Sequence, residues 1–415
     1  MAFSRFLASV LGLSAAIALL AGCAQPSNSS ASVVPASLAG QTSGKVHDRA
    51  AQGIQNVIVV VQQHRSFDNL FAGFPGSGAP TYGLTHTGKH VPLRFISLKT
   101  LPSCVGNIDA SYFKTVYNDG KMNGWDLLDP KDRDCPYTRV NTQEIAPYWD
   151  LAKQYALGDA MFASTRFNSF TDSLYLAAGT TKLQSNTYAV GPPTSDVWGC
   201  DAPTGTITPI LKNGQIVHDG PFPCFTQFPT IADLLDKANV GWDVYVDKPS
   251  FPLPFDPFDA IENVREGPDW KADTDSPASN VLSDLDNGKL RPVSFVLSPA
   301  ADSDFPGEGG GPKWLQSIVQ HAQKSQYWQH LAIVVVWDDF GDGSFYDNVA
   351  PPQQDEMGLG LRVPLLVISP HVKHGYISRT QYEYGSILKY IEINWNLGTL
   401  GATDVRATSI GDIFQ

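Results

Sequence analysis

The stretch NVIVVV at residues 56–61 places five β-branched residues in a row. An unbroken run of this kind, without the polar alternation of a half-exposed strand, is typical of a strand buried on both faces of a parallel sheet. Helical patterns separate it from further apolar runs at residues 244–246, 293–297, 331–337 and 365–368. This alternation predicts an α/β fold: a three-layer α/β/α sandwich whose central sheet is mostly parallel.

Composition supports a large folded domain and argues against a nucleic-acid partner. The chain has 415 residues, of which 42% are hydrophobic and 17% are charged. This is enough apolar material for an extensive core and too little charge for a disordered protein. The formal net charge is −12, so the chain lacks the positive field that drives non-specific binding to nucleic acid.

The amino-terminal residues form a targeting pattern rather than part of the fold. Arg5 precedes an apolar run at 6–21, which is short for a membrane span, and LAGC occupies 20–23. The pattern resembles a bacterial lipoprotein signal, and an ordinary secretory signal is the alternative. We therefore expect a signal peptide at 1–22, export, and a lipid on Cys23 that anchors the protein to the bacterial membrane, facing the periplasm or the cell surface.

The remaining residues divide into a tether and one domain. Residues 23–52 are rich in Ser, Ala and Gln and predict a flexible tether. The domain then covers 53–415. Its periodicity fades at about 98–155 and 181–227, which we interpret as long loop insertions over the carboxyl edge of the sheet, the edge at which the parallel strands end.

Four cysteines other than Cys23 are present, which suits disulfide bonding in an exported protein. We expect neighbours in the sequence to pair, Cys104 with Cys135 and Cys200 with Cys224. The two other pairings of four cysteines stay open. No C-x-x-C pair occurs in the chain, which disfavours a zinc cluster.

Polar side chains follow two of the predicted strands at the carboxyl edge. The first strand runs into QQHRSFDN at 62–69, and the strand at 331–337 runs into Asp338 and Asp339. Adjacent carboxylates repel each other unless a cation intervenes, and a hard divalent ion commonly does so. Taken alone, the two aspartates also fit a solvated turn or a helix cap.

Several motifs occur in a fixed order along the chain. They read VVQQHRSFD at 60–68, GKMNGW at 120–125, NSF at 168–170, WDDF at 337–340, FYDNVAPP at 345–352, RVP at 362–364 and YEYGSI at 382–387. In this order they resemble the motifs of bacterial phosphoesterases of the phospholipase C and acid phosphatase type, within the alkaline-phosphatase-like superfamily. The resemblance extends from about residue 55 to 414 and implies that superfamily's α/β fold.

The resemblance implies a serine nucleophile and a divalent metal ion. Ser169 would attack phosphorus and form a phosphoryl-enzyme that water then hydrolyses. The metal, whose identity stays open, would be held by Asp338, Asp339, Gln63 and His64 and would activate the hydroxyl. Without the resemblance, the residues favour a Ser169 that is a loop hydroxyl capping the following helix.

The implied substrate is a phosphate ester, either a small molecule or a phospholipid. Arg65, Lys121 and Asn348 are the residues expected to bind it. From the residues alone, Arg65 also fits an ion pair with Asp68, and Lys121 is equally ambiguous. Monoesters and diesters call for similar metal chemistry, so the sequence does not separate them.

Five positions depart from the motifs of the resembled family. Gln63 replaces a glutamate and His64 an asparagine, which removes one negative charge and adds an imidazole that could bind a metal. Ser173, Phe305 and Asn348 stand where relatives carry histidines, and none of them titrates near neutral pH. Two hypotheses follow: an active metal-dependent phosphoesterase, or a homologue that has lost catalysis and binds phosphorylated ligands or a surface partner.

Two later histidines could supply the missing acid. His371 and His374 follow the predicted strand at 365–368, and they would reach the site if their loop folds back over it. The alternative is that both are exposed loop residues.

Overall fold

The central sheet has eight strands within the part of the chain that the computed structural model describes, residues 53–102, 110–247, 255–341 and 344–415. In chain order they are β1 (Asn56–Gln62), β2 (Ala156–Gly158), β3 (Trp242–Tyr245), β4 (Thr274–Asp275), β5 (Val293–Leu297), β6 (Leu331–Trp337), β7 (Leu365–Ile368) and β8 (Tyr376–Ser378). Their order across the sheet is β4-β3-β5-β1-β6-β7-β2-β8. All eight belong to the compact unit His47–Gln415.

Strand β1 occupies the interior of the sheet. All seven of its residues are buried, and it pairs in parallel with β5 on one side and β6 on the other. β-branched side chains suit this position because they pack against neighbours on both faces of the sheet. The predicted α/β fold with a mostly parallel sheet is confirmed.

Strand β7 is the one strand of this sheet that runs in the opposite direction. It pairs antiparallel with β6 and with β2, whereas the other pairings in the sheet are parallel. Residues that precede β7 therefore lie at the carboxyl edge, and residues that follow it lie at the opposite edge.

The reversal of β7 separates His371 and His374 from the carboxyl edge. His371 donates from Nε2 to the carbonyl of Gln329, 2.7 Å away, just before β6 begins, and His374 donates from Nδ1 to the carbonyl of Gln154, 2.9 Å away, just before β2 begins. Both histidines thus lie at the edge where the parallel strands start. The expectation that they could replace a missing acid at the site is wrong.

Helices cover the sheet in two groups. The α-helices of the described residues are α1 (Phe67–Phe71), α2 (Ala110–Tyr117), α3 (Ala146–Gln154), α4 (Ser169–Ala178), α5 (Ile231–Lys237), α6 (Glu262–Arg265), α7 (Asp269–Asp273), α8 (Asn280–Asn287), α9 (Gly311–Lys324), α10 (Tyr384–Trp395) and α11 (Thr403–Arg406). Helices α3, α8 and α9 pack in one group, and α4, α5, α10 and α11 in another. Short 3₁₀ helices lie at Trp125–Leu127, Pro257–Ala260, Ala300–Asp302, Trp328–His330 and Ile410–Ile413. No helix among the described residues is both long and apolar enough to cross a membrane.

Smaller sheets lie beside the central one. Strands Lys182–Gln184, Thr187–Ala189, Ile210–Lys212 and Gln215–Val217 form a four-stranded antiparallel sheet within the predicted insertion 181–227. The pair Tyr82–Leu84 and His90–Pro92 precedes the predicted insertion 98–155, and Arg94–Ile96, which also precedes it, pairs with Thr138–Val140 inside it. The helix α3, near the end of the segment 98–155, instead packs on α9 and β2 as part of the main layers.

One predicted disulfide is present in the structure. Cys200 and Cys224 are bonded, with their Cα atoms 4.5 Å apart. Cys135 is also disulfide-bonded. Its predicted partner Cys104, like the predicted signal peptide, Cys23 and the tether, lies outside the described residues.

Candidate active site

The carboxyl ends of β1 and β6 bring two polar segments together. Gln62 is opposite Trp337 in the parallel register, so the residues that follow each strand are neighbours. The Asp338 amide donates to the carbonyl of Gln62 at 2.8 Å. In return, the His64 amide donates to Asp338 Oδ1 at 3.2 Å. Strand pairing alone thus places His64 beside the two aspartates.

His64 adopts a left-handed backbone conformation, with φ at 58°. Few residues tolerate this region, and asparagine and histidine are among those enriched there. The conformation turns the chain as it leaves β1, so that both the amide and the ring of His64 face the aspartates. His64 Nδ1 lies 3.3 Å from Asp339 Oδ1 and 3.9 Å from Asp338 Oδ1.

Ser169 reaches the same cluster from the first residue of α4. Asn168 caps this helix by accepting a hydrogen bond from the Thr171 amide, which leaves the Ser169 hydroxyl available for other contacts. The hydroxyl donates to Asp339 Oδ2 at 2.6 Å and lies 3.3 Å from His64 Nδ1. The structure therefore brings Ser169, His64, Asp338 and Asp339 together, although they are distant in the sequence.

A further buried carboxylate, Asp172, lies one turn along α4. Its Oδ1 accepts a hydrogen bond from the Thr165 amide at 2.9 Å, and its Oδ2 is buried without a hydrogen-bond partner. Burial raises the pKa of Asp172 well above its usual value, and the negative charges of Asp339 and Asp338 raise it further. Sequence reasoning missed this residue; its spacing of three from Ser169 on one helix was the available signal.

The donor atoms in this cluster fit a divalent metal ion. His64, Asp338 and Asp339 are all buried, and each offers a ligand atom within 4.8 Å of the others. The side-chain Oε1 of Gln63 is also buried and has no hydrogen-bond partner. One imidazole nitrogen and several oxygens form a mixed donor set that suits several first-row divalent metals.

We compared the sequence of the chain with models of known protein families. A model of the phosphoesterase family matches residues 54–398, which include every residue of the cluster. The chain belongs to the phosphoesterase family.

Curated phosphoesterase relatives are phospholipases C at low identity. The chain is 22% identical over 452 residues to a non-hemolytic phospholipase C of Pseudomonas aeruginosa, covering 92% of this chain and 60% of the relative. It is 22% identical over 433 residues to phospholipase C B of Mycobacterium tuberculosis, covering 87% of this chain and 77% of the relative. It is 23% identical over 402 residues to non-specific phospholipase C1 of Arabidopsis thaliana, covering 83% and 67%. The chain thus spans only part of the relatives it matches, 60% in the first case.

Phe305 lies directly beside His64 in the candidate metal-binding cluster of this phosphoesterase. Its ring centroid is 4.8 Å from that of His64, with the planes tilted by 59°. The position is one where the resemblance implied a histidine. A phenyl ring there packs against the imidazole and cannot exchange a proton with a substrate.

Arg65 and Lys121 are two of the three residues expected to bind substrate. Arg65 is fully buried, and its guanidinium donates to the carbonyls of Asp304 and Leu98 and packs over the ring of Phe345. Lys121 is exposed in the turn after α2. Burial lowers the pKa of the Arg65 guanidinium to about 10. Its hydrogen bonds to two main-chain carbonyls indicate a structural role at the carboxyl edge.

Asn348 belongs to a buried network around Arg362. The Arg362 guanidinium lies 2.7 Å from Asp68, 3.1 Å from Asp159 and 3.0 Å from Asp347, and it donates to Asn348 Oδ1 at 2.7 Å. Burial is the largest cause that raises the pKa of Asp68, and the negative charge of Asp347 raises it further. The positive charge of Arg362 lowers it. One cation thus holds together the segments that follow β1, β2 and β6. The RVP motif was the available signal for this role, which sequence reasoning missed.

Removing the Arg362 charge is expected to destabilise the fold strongly. Arg362→Met leaves three buried carboxylates without their shared cation, and breaking a buried pair in this way costs about 3–5 kcal/mol. Urea unfolding at neutral pH measures the loss. Arg379→Met is the control, because Arg379 pairs with the same Asp159 at 2.9 Å but its side chain is 64% exposed, so its loss costs about 0–1 kcal/mol. Equal effects of the two variants would contradict the central role of Arg362.

Proposed function

We propose that this chain is an exported, metal-dependent phosphoesterase that hydrolyses phosphate esters through a phosphoserine at Ser169. One observation carries the proposal: the Ser169 hydroxyl donates to Asp339 at 2.6 Å within the cluster that also contains His64 and Asp338. A buried serine hydroxyl held by a carboxylate at a candidate metal site has the orientation and the proton acceptor that a nucleophile needs.

The residues support a two-step displacement. In the first step Ser169 Oγ forms a bond to phosphorus, the bond from phosphorus to the leaving oxygen breaks, the hydroxyl proton passes to Asp339 Oδ2, and the leaving oxygen takes a proton from solvent water. In the second step water attacks phosphorus, the bond from phosphorus to Oγ breaks, the proton on Asp339 returns to Oγ, and inorganic phosphate that contains the oxygen of the water leaves. The amino-terminal end of α4, where Ser169 lies, favours the negative charge of the phosphoryl group.

His64, Asp338 and Asp339 would hold the divalent cation, with Gln63 Oε1 as a further oxygen donor. When bound, such an ion lowers the proton affinity of the serine hydroxyl and offsets the charge on the phosphate oxygens. The protein side chains hold the hydroxyl and these ligands in a buried site, which strengthens their electrostatic interactions with the phosphoryl group.

Phe305 bears on the choice of substrate. Neither it nor Ser173 or Asn348 can give a proton to a leaving alkoxide near neutral pH. We therefore expect esters of good leaving groups, such as aryl phosphates, to be hydrolysed faster than alkyl phosphates. The same observation favours a second candidate function, the binding of phosphorylated ligands without turnover.

Export and lipid anchoring are also proposals, supported by the sequence pattern at residues 1–23. Cys23 would carry the lipid that holds the domain at a membrane surface. Mass spectrometry of the amino-terminal peptide of the mature protein tests this, and an unmodified Cys23 would contradict it.

Hydrolysis of p-nitrophenyl phosphate with and without a divalent cation tests the proposed function. Protein stripped with a chelator should be inactive and should regain activity when Mn²⁺, Mg²⁺, Ca²⁺ or Zn²⁺ is added. Thermal stabilisation by inorganic phosphate without turnover under any of these conditions would support the binding function instead.

A further inference from the structure

One of the candidate metal ligands offers a nitrogen atom, Nδ1 of His64, whereas the aspartates offer oxygen. His64 is 8% exposed, and its ring lies against that of Phe305, with centroids 4.8 Å apart. Its main chain is also held, because the His64 amide donates to Asp338 Oδ1 at 3.2 Å in the left-handed conformation described above. Backbone and ring together keep Nδ1 beside the aspartates.

Three oxygen atoms lie around this nitrogen at distances that suit a four-coordinate ion. Nδ1 is 3.3 Å from Asp339 Oδ1, 3.3 Å from Ser169 Oγ and 3.9 Å from Asp338 Oδ1. At bond lengths of about 2.0–2.2 Å, the ligand atoms of a tetrahedral zinc ion are about 3.3–3.6 Å apart. Adjacent ligand atoms of octahedral Mg²⁺ are only about 2.8–3.0 Å apart. Two of the three separations match the tetrahedral ion, and all three are too wide for adjacent ligands of Mg²⁺.

The kind of donor atom separates a zinc-like ion from Ca²⁺. The longer bonds of Ca²⁺ would also fit this spacing, but Ca²⁺ takes six to eight ligands and all of them are oxygen. Imidazole nitrogen instead suits Zn, Cu, Fe and Ni. The nitrogen of His64 therefore disfavours Ca²⁺ at a place where the distances alone would accept it.

The ligand set has the composition of a catalytic zinc site. Such sites use three protein ligands and keep a further position for water or substrate. His64, Asp338 and Asp339 supply three protein ligands, and the charges of the two carboxylates balance that of a divalent ion. The Ser169 hydroxyl, 3.3 Å from Nδ1, lies next to these ligands.

We infer that His64 makes this cluster a four-coordinate site that selects Zn²⁺ over Mg²⁺ and Ca²⁺. This assignment rests on the proposed function for the presence of a cation, and it adds that the imidazole decides which cation binds. Because His64 stands where the resembled family has an asparagine, the selectivity is particular to this chain. Selection is a property of binding, so it can be measured without hydrolysis.

Calorimetric titration of the metal-free full chain with Zn²⁺, Mg²⁺ and Ca²⁺ tests the inference. The parent should bind one Zn²⁺ more tightly than either other ion. His64→Asn replaces the nitrogen donor by an oxygen donor and keeps a residue that tolerates the left-handed backbone. It should lower the ratio of the Zn²⁺ affinity to the Ca²⁺ affinity by at least about tenfold. The control is His321→Asn, which alters a histidine 2.9 Å from Asp286 outside the cluster and should leave the ratio unchanged.

The absorption spectrum of the parent loaded with Co²⁺ is a second measurement, and it needs no variant. Four-coordinate Co²⁺ absorbs visible light much more strongly than six-coordinate Co²⁺, so strong bands are expected, and His64→Asn should weaken them. Weak bands in the parent, or the same affinity ratio in the parent and in His64→Asn, would overturn the inference.

The inference and the proposed function can fail separately. Selective binding of Zn²⁺ by a parent that hydrolyses no phosphate ester would contradict the proposed function alone. Equal affinities of the parent for the three ions, together with cation-dependent hydrolysis, would overturn the inference alone.

Discussion

Ser169→Ala is expected to lower kcat for p-nitrophenyl phosphate by about 10⁴-fold or more, because it removes the atom that forms the bond to phosphorus. The variant lacks only an oxygen, and the helix cap belongs to Asn168, so α4 should still form. Initial rates under saturating cation measure the effect. Mass spectrometry of the parent, quenched during turnover, should detect phosphate on the peptide that contains Ser169.

Ser279→Ala is the control for this experiment. Ser279 lies immediately before α8, and its side chain makes no cap hydrogen bond, so the loss of its hydroxyl should leave the rate unchanged. If Ser169→Ala keeps the parent rate while folding normally, the serine mechanism is excluded. Hydrolysis would then require a water nucleophile.

Asp339→Asn is expected to lower both metal content and activity. The amide keeps the shape of the side chain but loses the charge that attracts the cation and the strongest acceptor for the Ser169 hydroxyl, 2.6 Å away. We expect at least about 10-fold weaker metal binding, in the range typical for changes around metal ligands, and at least about 10³-fold lower kcat. Elemental analysis of purified protein measures the first effect independently of the second.

Asp286→Asn provides a matched control for the loss of a carboxylate. Asp286 on α8 lies 2.9 Å from Nδ1 of His321 on α9, and both side chains are substantially exposed. The Asp286→Asn variant should have the same metal content and the same rate as the parent. Full metal occupancy in Asp339→Asn would mean that the buried cluster does not bind the cation.

Much of the central fold could be predicted from local sequence. The β-branched run at 57–61 and the apolar run at 331–337 each identify a buried strand. The direction of β7 could not be predicted, because LLVI at 365–368 has the same apolar pattern in either direction. Strand order and direction depend on pairing between distant segments, which a local pattern does not record.

Part of the candidate site could likewise be predicted from the sequence, and part could not. Asp338, Asp339 and His64 follow directly from strand ends, and a parallel register brings strand ends together. Arg65 could not be placed in this way, because the left-handed turn at His64 redirects the chain and sends the next side chain into buried carbonyl groups. The RVP motif marks Arg362, but its partners could not be predicted, since the three aspartates come from three separate segments.

The single reversed strand also has an evolutionary consequence. Because β6 and β7 are antiparallel neighbours, the connection at residues 338–364 starts and finishes at the same edge and need not traverse a layer of helices. Its length is therefore independent of the thickness of the sandwich. Within this connection only residues 353–356 form a continuous exposed stretch among the described residues, so insertions and deletions confined to them can change the surface while the buried residues on either side stay in place.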